Sequence, residues 1–313
     1  MKHFSFEPSK LQILPYYSGL YNARIYAKRD DMSFVECGGG NKARMLQYIL
    51  YDLSPKKYDV LVTAGGPCSN FNRACALMCA RLGVKFHLVE YTDNPDDFKK
   101  SLNYGICKVA GMTTTRCEKS NVPHTIDRVL EDYRNKGIRT KFIYGGGKSL
   151  EGIYSYYEAI QELASQISTV DYLFVACGTG TTLTGISAGM NKFFPNAMVH
   201  AISTARSWAT ESITLEEDMQ ILNAYLNSTY SFDNLEYHEE FLCGGYGQYN
   251  ERVKTVIKEC VAHENMFIDP TYSGKAFYGM LELISSKENL QGKDIVFWNT
   301  GGIFNFLSEL LSW

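Results

Sequence analysis

Lys42 follows three consecutive glycines, in the stretch Cys37-Gly38-Gly39-Gly40-Asn41-Lys42-Ala43-Arg44-Met45. The glycines remove side chains from the backbone on one side of it. Residues 42–52 read as a helix, because Met45, Leu46, Ile49 and Leu50 share one apolar face. A lysine in the first turn of a helix lies where the dipole is positive, which mildly disfavours its charged form. Schiff-base chemistry requires such a group, a neutral amine that attacks a carbonyl. Alone, the stretch also reads as a solvated lysine after a glycine turn. Its meaning rests on what accompanies it.

Gly178-Thr179-Gly180-Thr181-Thr182 follows an apolar strand and precedes a helix. Converging backbone N–H groups, the helix dipole and the hydroxyls of Thr179, Thr181 and Thr182 suit an anion. No lysine follows as in a Walker loop, and Leu183 stands where a dinucleotide fingerprint has its third glycine. The loop therefore suits a single phosphate without a metal. Gly65-Gly66-Pro67-Cys68-Ser69-Asn70 repeats the pattern before a second helix. Ser69 is a natural N-cap; its functional reading is a carboxylate-binding loop with Ser69 facing the reacting carbons. Cys68 has no histidine nearby in sequence to activate it and reads as packing. Tyr246 and Tyr272 sit in loops, two of 22 tyrosines. Thr300-Gly301-Gly302 closes an apolar strand at its carboxyl end, where open α/β sheets bind ligands. Each stretch has an ordinary structural reading too: a cap, a tight turn, a packed ring or a strand end.

These stretches need a frame to bring them together. Apolar runs predict strands at 22–29, 58–64, 84–89, 106–109, 140–144, 171–176, 199–203 and 294–299. Helical patterns fall between them, at about 71–82, 124–136, 152–166, 185–192 and 250–264, with a mostly helical polar stretch at 206–235 and a last helix after Lys275. Such alternation argues for doubly wound α/β units. Gly145-Gly146-Gly147-Lys148-Ser149 breaks the pattern and marks a domain crossing.

The chain has 313 residues, enough for two domains sharing an interface. Hydrophobic content of 45% and charged content of 21% give the ordinary globular class. A net charge of −3 gives no reason to expect nucleic acid or an anionic membrane as partner. Nine cysteines are scattered, and no His or Cys pair completes a zinc site beside Cys75 and Cys79. No metal is therefore expected, and the thiols read as reduced in a cytoplasmic protein. The first residues lack the apolar run of a signal peptide, and no segment is long enough to span a bilayer.

The pieces gain meaning from their order: Tyr26-Ala27-Lys28-Arg29-Asp30-Asp31, Gly39-Gly40-Asn41-Lys42-Ala43-Arg44, Gly65-Gly66 with Ser69-Asn70 and Arg73, Gly178-Thr179-Gly180, Gly245-Tyr246-Gly247, Asp269-Pro270-Thr271-Tyr272-Ser273-Gly274-Lys275-Ala276, and Thr300-Gly301-Gly302. This set resembles the pyridoxal-phosphate enzymes of fold type II, the tryptophan-synthase-β fold. Within them it closely resembles the D-cysteine desulfhydrase / 1-aminocyclopropane-1-carboxylate deaminase family, over nearly the whole chain.

The resemblance implies two doubly wound α/β domains with the cofactor in the cleft between them. The smaller would be 46–150 and the larger 1–45 plus 151–313, and homodimers are usual. It implies that Lys42 carries pyridoxal 5'-phosphate and then moves protons. Asn70 would hydrogen-bond the cofactor's O3′, Gly178, Thr179, Gly180, Thr181 and Thr182 would hold its phosphate, and Thr300 would face its ring nitrogen. A neutral hydroxyl there suits elimination over transamination. Ser69, with Asn70 and Phe71 behind it, would hold the substrate carboxylate, and Tyr246 and Tyr272 would flank the substrate. The implied reaction is α,β-elimination on a small amino acid, D-cysteine or a β-substituted alanine, giving pyruvate, ammonia and the leaving group. Two departures bear on substrate. Ser273 stands where the deaminase branch has an acidic residue, which leans toward the desulfhydrase branch. Cys68 replaces a usual glutamine, and Phe71-Asn72 replaces polar residues. Alternatives stay open: a β-replacement amino-acid synthase, a 1-aminocyclopropane-1-carboxylate deaminase, a racemase, or a catalytically silent cofactor-binding protein.

Overall fold

Strand and helix alternate because short apolar runs give way to segments with apolar residues three and four apart. The computed structural model describes residues 1–313 apart from 5, 95, 288, 289, 311 and 312. In chain order its elements are β1 (Lys10–Ile13), α1 (Pro15–Tyr21), β2 (Arg24–Arg29), α2 (Asn41–Ile49), β3 (Val60–Gly65), α3 (Asn70–Leu82), β4 (Lys85–Glu90), α4 (Asp97–Lys100), α5 (Leu102–Val109), β5 (Thr113–Arg116), α6 (Val122–Asn135), β6 (Thr140–Phe142), α7 (Leu150–Ala164), β7 (Tyr172–Cys177), α8 (Thr181–Phe193), β8 (Met198–Ser203), α9 (Trp208–Leu226), β9 (Leu235–His238), α10 (Glu251–Glu264), α11 (Ser273–Ser285), β10 (Asp294–Asn299) and α12 (Ile303–Leu310).

The strands form two sheets, one in each of two α/β domains. The larger has the order β1-β2-β10-β7-β8-β9 and the smaller β5-β4-β3-β6. Every pairing is parallel except β1 with β2. Each residue of β10 is buried, as expected of a central parallel strand covered on both faces. One apolar cluster runs between the sheets. It joins Leu61 of β3, Phe71 and Ala74 of α3, Met45 and Ile49 of α2, Tyr156 and Ile160 of α7, and Leu173 of β7.

Four charges, three buried and the fourth, Glu162, partly buried, brace α2 against this frame. Asp30 accepts from Arg44 Nη2 at 2.8 Å, Tyr156 Oη at 2.5 Å and Trp298 Nε1 at 2.9 Å. Arg44 also reaches Glu162 Oε2 at 3.0 Å, and Glu162 in turn pairs with Lys28. Burial alone would raise Asp30, but Arg44 and the neighbouring donors hold it below its ordinary value.

One expected element is of the other type. Residues 106–109 belong to α5, not to a strand. Ser101 caps that helix by accepting from Tyr104 N at 3.2 Å, and its buried residues Asn103 and Cys107 are four apart. The strand in this part of the sheet is β5, Thr-Thr-Thr-Arg, an edge strand without an apolar run. The edge strand β9 is likewise short and was not anticipated, whereas β1 is the short extended piece expected to end at Leu14-Pro15. The polar stretch after 206 is one helix, α9, followed by β9.

Candidate active site

The carboxyl ends of β3, β7, β8 and β10 all feed loops into one cleft of about 750 Å³. That is the place where open parallel sheets offer helix N-termini and backbone donors to a ligand. Lys42, Ser69, Asn70, Phe71, Gly178, Thr179, Gly180, Thr182, Tyr246, Tyr272 and Thr300 line it. Thr181 does not; its side chain is fully buried beneath the loop.

Lys42 reaches the cleft because the glycine loop lies flat against the end of β10. Asn41 N donates to Thr300 O at 3.0 Å. Gly40 has φ +91°, and a Cβ there would sit 2.6 Å from Thr300 O, so only glycine allows this approach. The Asn41 amide donates to Thr182 Oγ1 at 3.1 Å and ties the lysine helix to the phosphate-type loop. Lys42 Nζ donates to Gly146 O at 2.9 Å, across the cleft. Its amine is lowered to about 8, chiefly by burial and against the small pull of Cys177 and Cys75. The sequence reading expected a depressed amine from the helix dipole; desolvation is the larger cause.

Ser69 is the N-cap of α3 and accepts from Asn72 N at 3.2 Å. Capping uses an acceptor lone pair and leaves the hydroxyl proton available to a ligand. The cap is observed, and it leaves the hydroxyl free for the carboxylate-binding role expected of Ser69. Asn70 Oδ1 accepts from Arg73 Nη1 at 2.7 Å and Asn103 Nδ2 at 3.1 Å. Those bonds fix the amide so that its NH2 remains to donate into the cleft. Arg73 also donates to Gly38 O and Gly39 O, both at 3.2 Å, and so joins the lysine loop to Asn70. Phe71 lies in the core cluster, where its ring would come within 3.2 Å of a Cβ at Gly147. Cys68 is exposed beside Ser69 and lines the cleft.

The N-terminus of α8 is the anion-type site. Gly180, at φ +80°, caps it without a side chain. The first amide with an intrahelical acceptor is Thr184 N, bonded to Gly180 O at 2.9 Å. The amides before it have no such acceptor in an α-helix. Thr181 Oγ1 is buried without a partner among the described residues. Arg206, which the sequence reading passed over, also lines this cleft and reaches the buried Glu211 Oε2 at 3.1 Å. Only its place, just after the carboxyl end of β8, could have drawn attention to it. An uncapped helix, threonine hydroxyls and one arginine match the charge and donors that a phosphate monoester needs.

Tyr246 and Tyr272 meet hydroxyl to hydroxyl at 2.7 Å, with their rings edge to face. The enclosing cleft pushes the Tyr246 phenol up to about 12, although the residue as a whole is half exposed. Tyr272 is raised further, again by burial first and Tyr246 second. Both are protonated at neutral pH. When one donates to the other, the acceptor's own proton is left for a ligand. Lys275 holds the Tyr246 loop by donating to Leu242 O and Gly245 O, each at 2.7 Å. Asp269 holds the Tyr272 loop: its buried carboxylate accepts from the amides of Thr271, Tyr272 and Ser273. Ser273 is fully buried and lies within hydrogen-bond distance of Asp269 Oδ1 (2.7 Å) and Gly301 O (3.0 Å). It stitches the Tyr272 loop to the Thr300 loop and does not line the cleft.

A family model described as "Pyridoxal-phosphate dependent enzyme" matches residues 5–301. A Pyrococcus furiosus protein named "Putative 1-aminocyclopropane-1-carboxylate deaminase" is 30% identical over 312 residues, covering 96% of this chain and 92% of its own. A D-cysteine desulfhydrase of Salmonella paratyphi A is 29% identical over 304 residues, covering 94% and 92%. The crystal structure of a 1-aminocyclopropane-1-carboxylate deaminase homologue superposes with a TM-score of 0.87 at 29% identity, covering 98% of this chain and 94% of that one.

Proposed function

From the premise that this chain belongs to the pyridoxal-phosphate dependent enzymes, of fold type II, we propose that it eliminates the β-substituent of a small amino acid, D-cysteine first among them. The products are pyruvate, ammonia and, from D-cysteine, sulfide. One observation carries the reading: a lysine amine lowered to about 8 shares a cleft with a capping serine, a protonated tyrosine pair and an uncapped helix N-terminus.

Pyridoxal phosphate, when bound, supplies an electron sink that lets a proton leave the α-carbon of the bound amino acid. The α8 N-terminus, Thr179, Thr182 and Arg206 would hold its phosphate. The Asn70 NH2 would donate to the ring hydroxyl oxygen, and Thr300 would lie on the side of the ring nitrogen. The Ser69 hydroxyl and the amides after it grip the substrate carboxylate. Lys42 Nζ is the base, because it is the one of these groups with a substantial unprotonated share near neutral pH. The tyrosine pair is the acid and delivers a proton to the departing sulfur. A substrate thiolate that leaves protonated leaves more easily.

Ring opening of 1-aminocyclopropane-1-carboxylate is the second reading, supported by the relatives that carry that name. Ser273 is buried away from the cleft and acts on substrate choice only through the loops that it joins. We place the enzyme in the cytoplasm, supported by nine cysteines that are all free thiols. Among the described residues no helix is long and apolar enough to cross a membrane. We read the active form as a homodimer, which light scattering tests; a monomer at assay concentration contradicts it.

The test is product release by purified, cofactor-loaded protein. Pyruvate and sulfide from D-cysteine, with little from L-cysteine, is the expected result. Release of 2-oxobutanoate and ammonia from 1-aminocyclopropane-1-carboxylate alone would move the chain to the second reading. Turnover of L-cysteine only with an added nucleophile would replace elimination by β-replacement.

A further inference from the structure

A compact set of ligating atoms lies outside the cleft, at the edge of the larger sheet. His200 is on β8, and Glu236 and His238 are on β9. In the parallel register Glu236 stands opposite His200, and His238 is two residues on. Alternate residues of a strand point to one face, so the three side chains share a face. His200 Nδ1 is 3.0 Å from His238 Nε2 and 3.2 Å from Glu236 Oε2, and the latter two are 3.8 Å apart. None of the three lines the cleft.

We propose that His200 Nδ1, His238 Nε2 and Glu236 Oε2 form a three-ligand site for a divalent transition-metal ion, zinc above all, that ties the edge strand β9 to β8. Zinc bonds nitrogen and oxygen ligands at about 2.0–2.2 Å, so donors around a tetrahedral ion stand about 3.3 Å apart. The three observed separations straddle that spacing, and little movement is needed to admit the ion. Two imidazoles and a carboxylate are a donor set that zinc favours.

The surroundings fit as well. Glu240 Oε1 is 3.0 Å from His238 Nδ1, the nitrogen that would not bind metal. A carboxylate on that nitrogen fixes the tautomer and makes the ligating nitrogen more basic. The His200 ring is stacked on Phe174, with centroids 4.6 Å apart and planes 10° apart, which fixes its direction. Coordination through Nδ1 puts the His200 proton on Nε2, a buried atom with no partner among the described residues, so the metal bonds must offset the cost of one unpaired N–H. Glu236 is half exposed and gives the ion a route from solvent. β9 is a short edge strand paired on one side only, so a metal clip there joins it to the sheet where hydrogen bonding is sparse. His200 and His238 are 38 residues apart, and sequence spacing does not join them.

Cobalt(II) reports the site, because its visible bands separate tetrahedral nitrogen and oxygen ligation from binding to cysteine. Holoenzyme treated with chelator and titrated with Co2+ should take up one equivalent with tetrahedral bands and no thiolate charge-transfer band. Zn2+ should displace it and raise the thermal midpoint. Glu236→Ala, at an exposed position that leaves the core intact, should weaken uptake at least tenfold. Glu240→Gln should weaken it by about 10-fold to 100-fold. Both should leave the cofactor spectrum and turnover of D-cysteine unchanged. Uptake that is absent, carries thiolate bands, or is equal in wild type and Glu236→Ala overturns the proposal.

Discussion

The amine of Lys42 is neutral more often than that of an exposed lysine, because the cleft wall removes the water that would solvate its charge. Covalent capture of the cofactor by apoenzyme needs that neutral amine. The capture rate should therefore rise about tenfold per pH unit below 8 and level off above it; a midpoint near the ordinary lysine value of 10.5 contradicts this assignment. Lys42→Ala should lower turnover by at least about 10³-fold, measured as pyruvate release. Tyr272→Phe removes one hydroxyl of the 2.7 Å pair, and kcat should fall about 10²-fold with the cofactor spectrum intact. An unchanged kcat would remove the tyrosines from proton transfer. At this scale the sequence was readable where a residue type and its backbone setting pointed to one chemistry, as with Lys42 after three glycines. It was silent on Arg206, whose meaning comes from the strand end that precedes it. It also did not show that Ser273 faces Asp269 and not the cleft, since burial of a small polar residue leaves no pattern.

Loops carry the chemistry, and neighbouring elements hold the loops. Lys275, in the first turn of α11, uses its buried ammonium to fix two carbonyls of the Tyr246 loop. Lys275→Met should loosen that loop: KM should rise and kcat fall together, with the cofactor spectrum unchanged and stability lower by about 1–3 kcal/mol. Steady-state kinetics and denaturant unfolding check both parts. Gly40→Ala places a Cβ against Thr300 O in a left-handed backbone region and should cost about 1–3 kcal/mol. Because that strain moves Lys42, cofactor affinity should fall in the same variant. The central elements were legible from apolar runs, which is why β3, β4, β7, β8 and β10 match expectation. The edge strands β5 and β9 were not, because an edge buries little and needs no apolar run. Residues 106–109 misled for a related reason: a four-residue window with one buried cysteine fits a helix face as well as a strand.

The whole molecule is held at its middle by buried charge. Asp30, Arg44, Glu162 and Lys28 join β2, α2 and α7, and Trp298 adds β10. Arg44→Met would leave the buried Asp30 without its cation and Glu162 with Lys28 alone, and should destabilise the protein by about 3–5 kcal/mol at pH 7. Asp30 and Glu162 are both held below their ordinary values of 3.8 and 4.5. Their contribution is therefore complete above those values and is lost as pH falls through the lowered ones. The gap in thermal midpoint between wild type and Arg44→Met should be constant from pH 7 to 5 and shrink below about 4.5. A gap that is undiminished at pH 3 contradicts this ion cluster. Doubly wound α/β units were legible from the alternation of elements, and the two domains with a cleft between them from the family resemblance. We set the domain limits at 46–150 for the smaller and at 1–45 plus 151–313 for the larger, supported by the four strands of the smaller sheet, which fall between Val60 and Phe142. The cluster was out of reach, since its members lie up to 268 residues apart.

The most direct measurement is hydride reduction of the cofactor-loaded protein, followed by peptide mapping by mass spectrometry. The pyridoxyl-phosphate mass should appear on the peptide that contains Lys42 and on no other. The mass on Lys28, Lys275 or another lysine, with Lys42 unmodified, would contradict the assignment of the cleft and every role built on it.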